Sequence, residues 1–144
     1  MIRSTKRDYL LSIRPLYAEK IVDGLKTVEL RRRFSSDASG ATILIYSTSP
    51  TCAIIGSASV REVLRLELNI LWERHGAAAC IDRKAFDAYF DGLDRGYAII
   101  LENARPFDPQ VAAADLREQF GFVAPQSFMY LRQEHYPLLN YERV

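Results

Sequence analysis

Cysteine is scarce: the 144 residues contain two, Cys52 and Cys80, and they do not form a CxxC pair. Histidine is equally scarce, at His75 and His135. So few soft ligands weigh against a structural zinc site, and two cysteines do not make a disulfide scaffold. A Ser-His-Asp triad would have to use one of the two histidines, and no nucleophile-elbow glycine pattern accompanies either. No GxGxxG and no P-loop occurs, so the common nucleotide-phosphate fingerprints are missing. The longest apolar runs, Ile43 to Tyr46 and Ala98 to Leu101, fall far short of the roughly 18–20 residues that cross a bilayer. The first seven residues are basic, but no signal-peptide apolar segment follows. The expectation is a cytoplasmic protein with no membrane partner, no metal and no cofactor.

Large net charge is also missing. The formal charge is +1, which argues against a surface coated in positive charge. The distribution is uneven, however. Residues 1–33 hold nine Lys/Arg against four Asp/Glu, and the remainder holds ten against fourteen. A local basic surface on a neutral-to-acidic body is one reading of Arg31-Arg32-Arg33; a solvated strand end is the other. With 49% hydrophobic and 26% charged residues, the composition is that of an ordinary globular chain. One domain spanning 1–144 is expected, with its core over about 9–132 and a C-terminal tail over 133–144.

Periodicity supplies the elements. Tyr9 to Ile13 reads as a short buried strand. Pro15 suits a first helical position and Gly24 a helix end, so a helix is expected at about 15–23. Arg14 then falls at the N-cap, where arginine cannot accept the bonds that capping needs. Beside free backbone N–H groups it makes an anion site; the plainer reading is a surface arginine with water doing the capping. Lys26 to Arg33 alternates as a strand, with Val28 and Leu30 on one face and Thr27, Glu29, Arg31 and Arg33 on the other.

Ala41 to Tyr46 is a second buried strand. Ala53 to about Leu66 is a long strand with a bulge at Gly56, followed by a helix to His75. Asp82 is a good N-cap for a helix whose Phe86, Tyr89, Phe90 and Leu93 predict one buried stripe. Tyr97 to Leu101 is another strand, Pro106 and Pro109 mark a loop, and Val111 to Phe120 is a short helix. Pro125 to Leu131 turns into a last strand. Strands outnumber helices, which suggests an α+β fold built on a small sheet or barrel.

The run Leu11-Ser12-Ile13-Arg14-Pro15, then Tyr17-Ala18, Ile21, Gly24, Lys26-Thr27, Glu29 and Arg31-Arg32-Arg33, resembles the opening of the ASCH domain family, which is PUA-like. Ile43 to Pro50, Ile55-Gly56, Leu71-Trp72, Phe86 to Gly92, Gly96 to Ile99 and Pro125 to Leu131 continue the resemblance over nearly the whole chain. It implies a β-barrel of five or six strands with helices packed around it. It also implies a cleft between barrel and first helix, and a role in RNA metabolism or transcription regulation.

Two kinds of function follow from the residues and the resemblance together. The first is binding of single-stranded RNA, a nucleotide or a modified nucleoside. Ser12, Arg14, Lys26, Arg31 and Arg33 would surround one groove and hold phosphate. Glu29 would accept from an amine or a ribose hydroxyl. Tyr46, Tyr130 and Phe128 are candidate stacking surfaces, with core packing as the plainer role for Phe128. Thr48, Gln126 and Ser127, in the two turn segments of the resemblance, complete the candidate groove. The second is catalysis by Lys26 and Glu29. One branch of the family hydrolyses N4-acetylcytidine; its motif lysine is matched by Lys26, its threonine is replaced by Glu29, and its glutamate has no counterpart near His75 to Cys80. A metal-independent ribonuclease using Lys26, Glu29 and Ser127 is the other catalytic reading.

Overall fold

The computed structural model describes residues 8–143. The basic segment 1–7 lies outside them. Chain order is β1 (Tyr9–Ile13), α1 (Pro15–Val22), β2 (Val28–Arg31), β3 (Thr42–Ser47), β4 (Ala53–Glu67), α2 (Leu68–His75), α3 (Arg83–Tyr89), β5 (Arg95–Ala112), α4 (Ala113–Phe120) and β6 (Phe128–Tyr130), then a 3-10 helix over Gln133–Arg143. The strands form one six-stranded sheet in the order β2-β5-β4-β3-β1-β6. β1 and β3 run parallel; every other pair is antiparallel.

The continuous apolar runs are explained by burial on both faces. In β1 and β3, Leu11 and Ile45 turn toward a core that includes Ala18 and Ile21 of α1. Their neighbours Leu10 and Leu44 turn the other way, onto Leu116 of α4 and Leu138 of the 3-10 helix. A third cluster packs Val28, Leu30, Ala98 and Ile100 of β2 and β5 against Leu71 of α2, Phe86 of α3 and Phe90 just past its end. Helices therefore cover the sheet on several sides. No helix among the described residues is long and apolar enough to cross a membrane.

Several elements depart from the sequence reading. β2 is shorter than Lys26 to Arg33, because the ladder with β5 pairs only Val28 to Arg31. The expected loop at Pro106 and Pro109 is instead part of the 18-residue strand β5. Proline cannot donate to a ladder, and here it is tolerated because register shifts break the pairing of β4 with β5 near Ile54 and Gly56. The bulge expected at Gly56 is present, and a side chain there would run into the Arg105 carbonyl. The expected stripe on α3 is only half right. Phe86 and Phe90 are buried, but Tyr89 and Leu93 are more than a third exposed, since the helix ends at Tyr89 and Leu93 lies beyond it.

Candidate functional site

The functional side chains begin at the turn between α1 and β2. Gly24 adopts a φ of 81°, a left-handed conformation that suits glycine, and reverses the chain after α1. The Lys26 backbone N–H then donates to Lys20 O at 3.0 Å, and Thr27 N–H donates to Ala78 O at 3.1 Å. These bonds tie the turn to both neighbours and leave the Lys26 side chain only 4% exposed. Its Nζ donates to the Ala79 carbonyl. It also lies 3.5 Å from Glu29 Oε1 and 5.1 Å from the Tyr17 ring centroid. Burial, opposed in part by the Glu29 charge, lowers the Lys26 pKa from 10.5.

Alternation along β2 puts Glu29 and Arg31 on the face opposite Val28 and Leu30, as the sequence pattern implied. They are not on a wet face: each is 7% exposed. Arg31 Nε and Nη2 each lie 2.9 Å from Glu29 Oε2. Arg31 Nη2 also donates to Ser12 O at 3.0 Å, and Nη1 donates to Ser127 Oγ at 3.1 Å and Ser127 O at 3.3 Å. β2 is one edge of the sheet, whereas Ser127 precedes β6 at the other. One guanidinium thus joins the two edges, and the sheet curls into a half-barrel around it. Removing one partner of such a buried pair costs about 3–5 kcal/mol, because the other charge stays buried.

The curl leaves an open cleft of about 790 Å³. Its polar floor is Ser12, Lys26, Glu29, Arg31 and Ser127; Arg14, Thr48 and Gln126 stand at one side. The remaining wall is apolar and aromatic: Tyr17, Leu30, Ile81, Ala85, Ala88 and Tyr89. Ser12 Oγ donates to Pro125 O at 2.7 Å, which holds the turn before β6 over the floor. Arg14 is the N-cap residue of α1, and its side chain makes no capping bond. Among the described residues, no group of three or more His, Cys, Asp or Glu comes together in a way that could hold a metal ion.

Eight of the residues expected from the sequence therefore line one cleft. Three stand apart. Arg33 lies beyond the end of β2, where the alternation stops, and is exposed. Tyr46 shares a register position with Ser12 but is buried against Phe122, with ring centroids 6.0 Å apart. Tyr130 packs 5.1 Å from Tyr9 in an aromatic cluster with Phe34 and Phe128. Of the lining residues not expected from the sequence, two are tyrosines. Tyr17 enters the sequence reading as part of the family resemblance, and Tyr89 as core. Nothing in the spacing sets Tyr89 apart: α3 has seven residues and ends at Tyr89, an end that the sequence pattern does not mark. The stretch 76–80 brings the Ala79 carbonyl and the Cys80 thiol near Lys26 but no carboxylate, so the third residue of the acetylcytidine pattern has no counterpart there.

A half-barrel of six strands wrapped by helices, with a polar cleft beside the first helix, is an α+β PUA-like fold. The ASCH domain family model matches residues 11–119, and the chain belongs to that family. It is 35% identical over 130 residues to an "ASCH domain-containing ribonuclease" of Zymomonas mobilis subsp. mobilis, covering 90% of this chain and 87% of that protein. The crystal structure of ASCH from Zymomonas mobilis superimposes with a TM-score of 0.86 at 34% identity, covering 92% of this chain and 93% of the other. The N-terminal domain of Staphylothermus marinus McrB shares the fold with a TM-score of 0.60 at 13% identity, covering 97% of each chain.

Proposed function

We propose that this ASCH domain binds single-stranded RNA, with one nucleotide seated in the cleft. The observation that carries the reading is the pairing of a buried Lys26–Glu29–Arg31 floor with an exposed Arg14 at the start of α1, in one open cleft. Its volume falls within the roughly 300–1,000 Å³ of clefts that enclose small ligands. Arg14 holds phosphate. Tyr17 offers a ring face to a base. Arg31 is committed to holding the sheet edges together, so its contribution is to keep Glu29 in place.

The test is fluorescence anisotropy of a labelled mixed-sequence RNA, titrated at several salt concentrations. Each phosphate contact adds about 0.7 to the magnitude of the log–log salt slope. Arg14→Glu should weaken binding and reduce that slope by at least about 0.7. Arg14 is exposed, so this variant keeps its fold. Absence of binding even at low salt would defeat the reading.

A second reading is favoured by the name of the Zymomonas relative and by the 3.5 Å approach of Lys26 to Glu29. In it, Glu29 takes the proton of a ribose 2′-hydroxyl, whose oxygen attacks the adjacent phosphorus. Lys26, as the ammonium, protonates the departing 5′-oxygen, leaving a 2′,3′-cyclic phosphate. Such cleavage would persist in excess chelator and be lost in Glu29→Gln. Intact RNA after long incubation with wild-type protein would leave binding as the only activity of the cleft.

A further inference from the structure

The RNA-binding reading leaves open which base the cleft takes, and the hydrogen-bond character of its walls bears on that choice. Lys26 Nζ carries hydrogens whether charged or neutral, so it donates in either state. Glu29 is an acceptor when ionised. Its Oε2 is engaged by Arg31, whereas Oε1 has only the 3.5 Å approach of Lys26 and keeps lone-pair capacity. Tyr89 Oη accepts from the Arg32 backbone N–H at 3.3 Å, so its own proton points elsewhere. Burial raises the Tyr89 pKa above 10.0, and the phenol stays a donor at neutral pH. Arg32 also fixes the wall that carries it, since its Nη1 donates to Tyr89 O at 2.7 Å and Asp91 O at 3.0 Å. The cleft thus presents two donors, Lys26 and Tyr89, each near enough to feel the charge of the acceptor Glu29.

We propose that the cleft selects uracil among the four RNA bases, with Lys26, Glu29 and Tyr89 reading its imide edge. This inference rests on the RNA-binding reading. Uracil offers acceptor, donor and acceptor along that edge: O2, N3–H and O4. Cytosine and adenine place a ring-nitrogen lone pair where Glu29 requires a hydrogen. Guanine matches two positions but sets its exocyclic amine against a donor. An unmatched buried polar group costs more than a hydrogen bond contributes, so the mismatch discriminates more strongly than the match attracts.

The experiment compares binding of labelled decamers of uridine, cytidine, adenosine, alternating guanosine–adenosine and N3-methyluridine by anisotropy at one low salt concentration. The uridine decamer should bind about tenfold more tightly than the others, and N3-methylation should erase that advantage. Because the N3-methyl comparison alters the ligand alone, it is independent of any variant's folding. Tyr89→Phe should narrow the ratio of uridine to cytidine affinity, with thermal melting matched to wild type. Equal affinity for all decamers with a clear salt slope, or preference for another base, overturns the uracil assignment and leaves RNA binding standing. No binding to any decamer overturns both.

Discussion

Lys26 carries the most consequential side chain in the cleft because its environment opposes its charge. Burial lowers its pKa, and Glu29 restores only part of the loss. The folded protein therefore holds this proton less tightly than the unfolded chain, whose lysine titrates near 10.5. Stability assigned to Lys26 is fully present above 10.5 and is lost as pH falls through the depressed folded value. Wild-type protein should gain stability relative to Lys26→Met as pH rises through that window. Urea midpoints measured from pH 7 to 10.5 would show the gain, and parallel curves for the two proteins would contradict it. This behaviour was not readable from the sequence. Lys26, Glu29 and Arg31 were identifiable by spacing and resemblance, but their near-complete burial depends on segments distant in the chain, residues 78–79 and 127.

At the scale of elements, α3 decides the shape of the cleft. It is seven residues long, too short to be stable alone, and is held at both ends from outside its own ladder. Asp82 Oδ1 accepts from Ala85 N–H at 2.8 Å at the start. Arg32 bonds the carbonyls of Tyr89 and Asp91 at the finish. Asp82→Ala should cost about 1 kcal/mol, as cap removal commonly does. Arg32→Ala should speed amide exchange in residues 83–91 while leaving β4 and β5 protected; unchanged exchange in α3 would show that packing of Phe86 and Phe90 suffices. The Asp82 cap was legible because capping is local chemistry. The Arg32 contact was not, because it joins residues 57 positions apart, and Arg31-Arg32-Arg33 looked like one charged block. The three arginines in fact divide: Arg31 is buried under the cleft, Arg32 clamps α3, and Arg33 is exposed.

The whole molecule is organised around one sheet whose edges meet at Arg31, with the C-terminal 3-10 helix packed against the cluster of β1, β3 and α4. Leu138 is 1% exposed in the cluster shared with α4 and β3, and His135 is buried beside Phe120 and Phe122. The described part of the tail therefore belongs to the core, and none of its described side chains lines the cleft. Leu138→Ala should destabilise the protein by about 2–5 kcal/mol without altering RNA affinity. A smaller cost, read from denaturant unfolding, would mean that the tail contributes little to the core.

Local rules sufficed for β1, α1, the bulge at Gly56, the Asp82 cap and the two faces of β2, because periodicity, capping and glycine geometry act over a few residues. The family resemblance extended that to the half-barrel. The lengths of β2 and β5, the partition of the aromatics between core and cleft, and the joining of the sheet edges were decided by tertiary packing. Their physical cause lies in contacts between residues far apart in sequence. Tyr46 and Tyr89 show this most plainly: both are aromatic residues in apolar patterns, and only the neighbours brought to them by folding make one core and the other cleft wall.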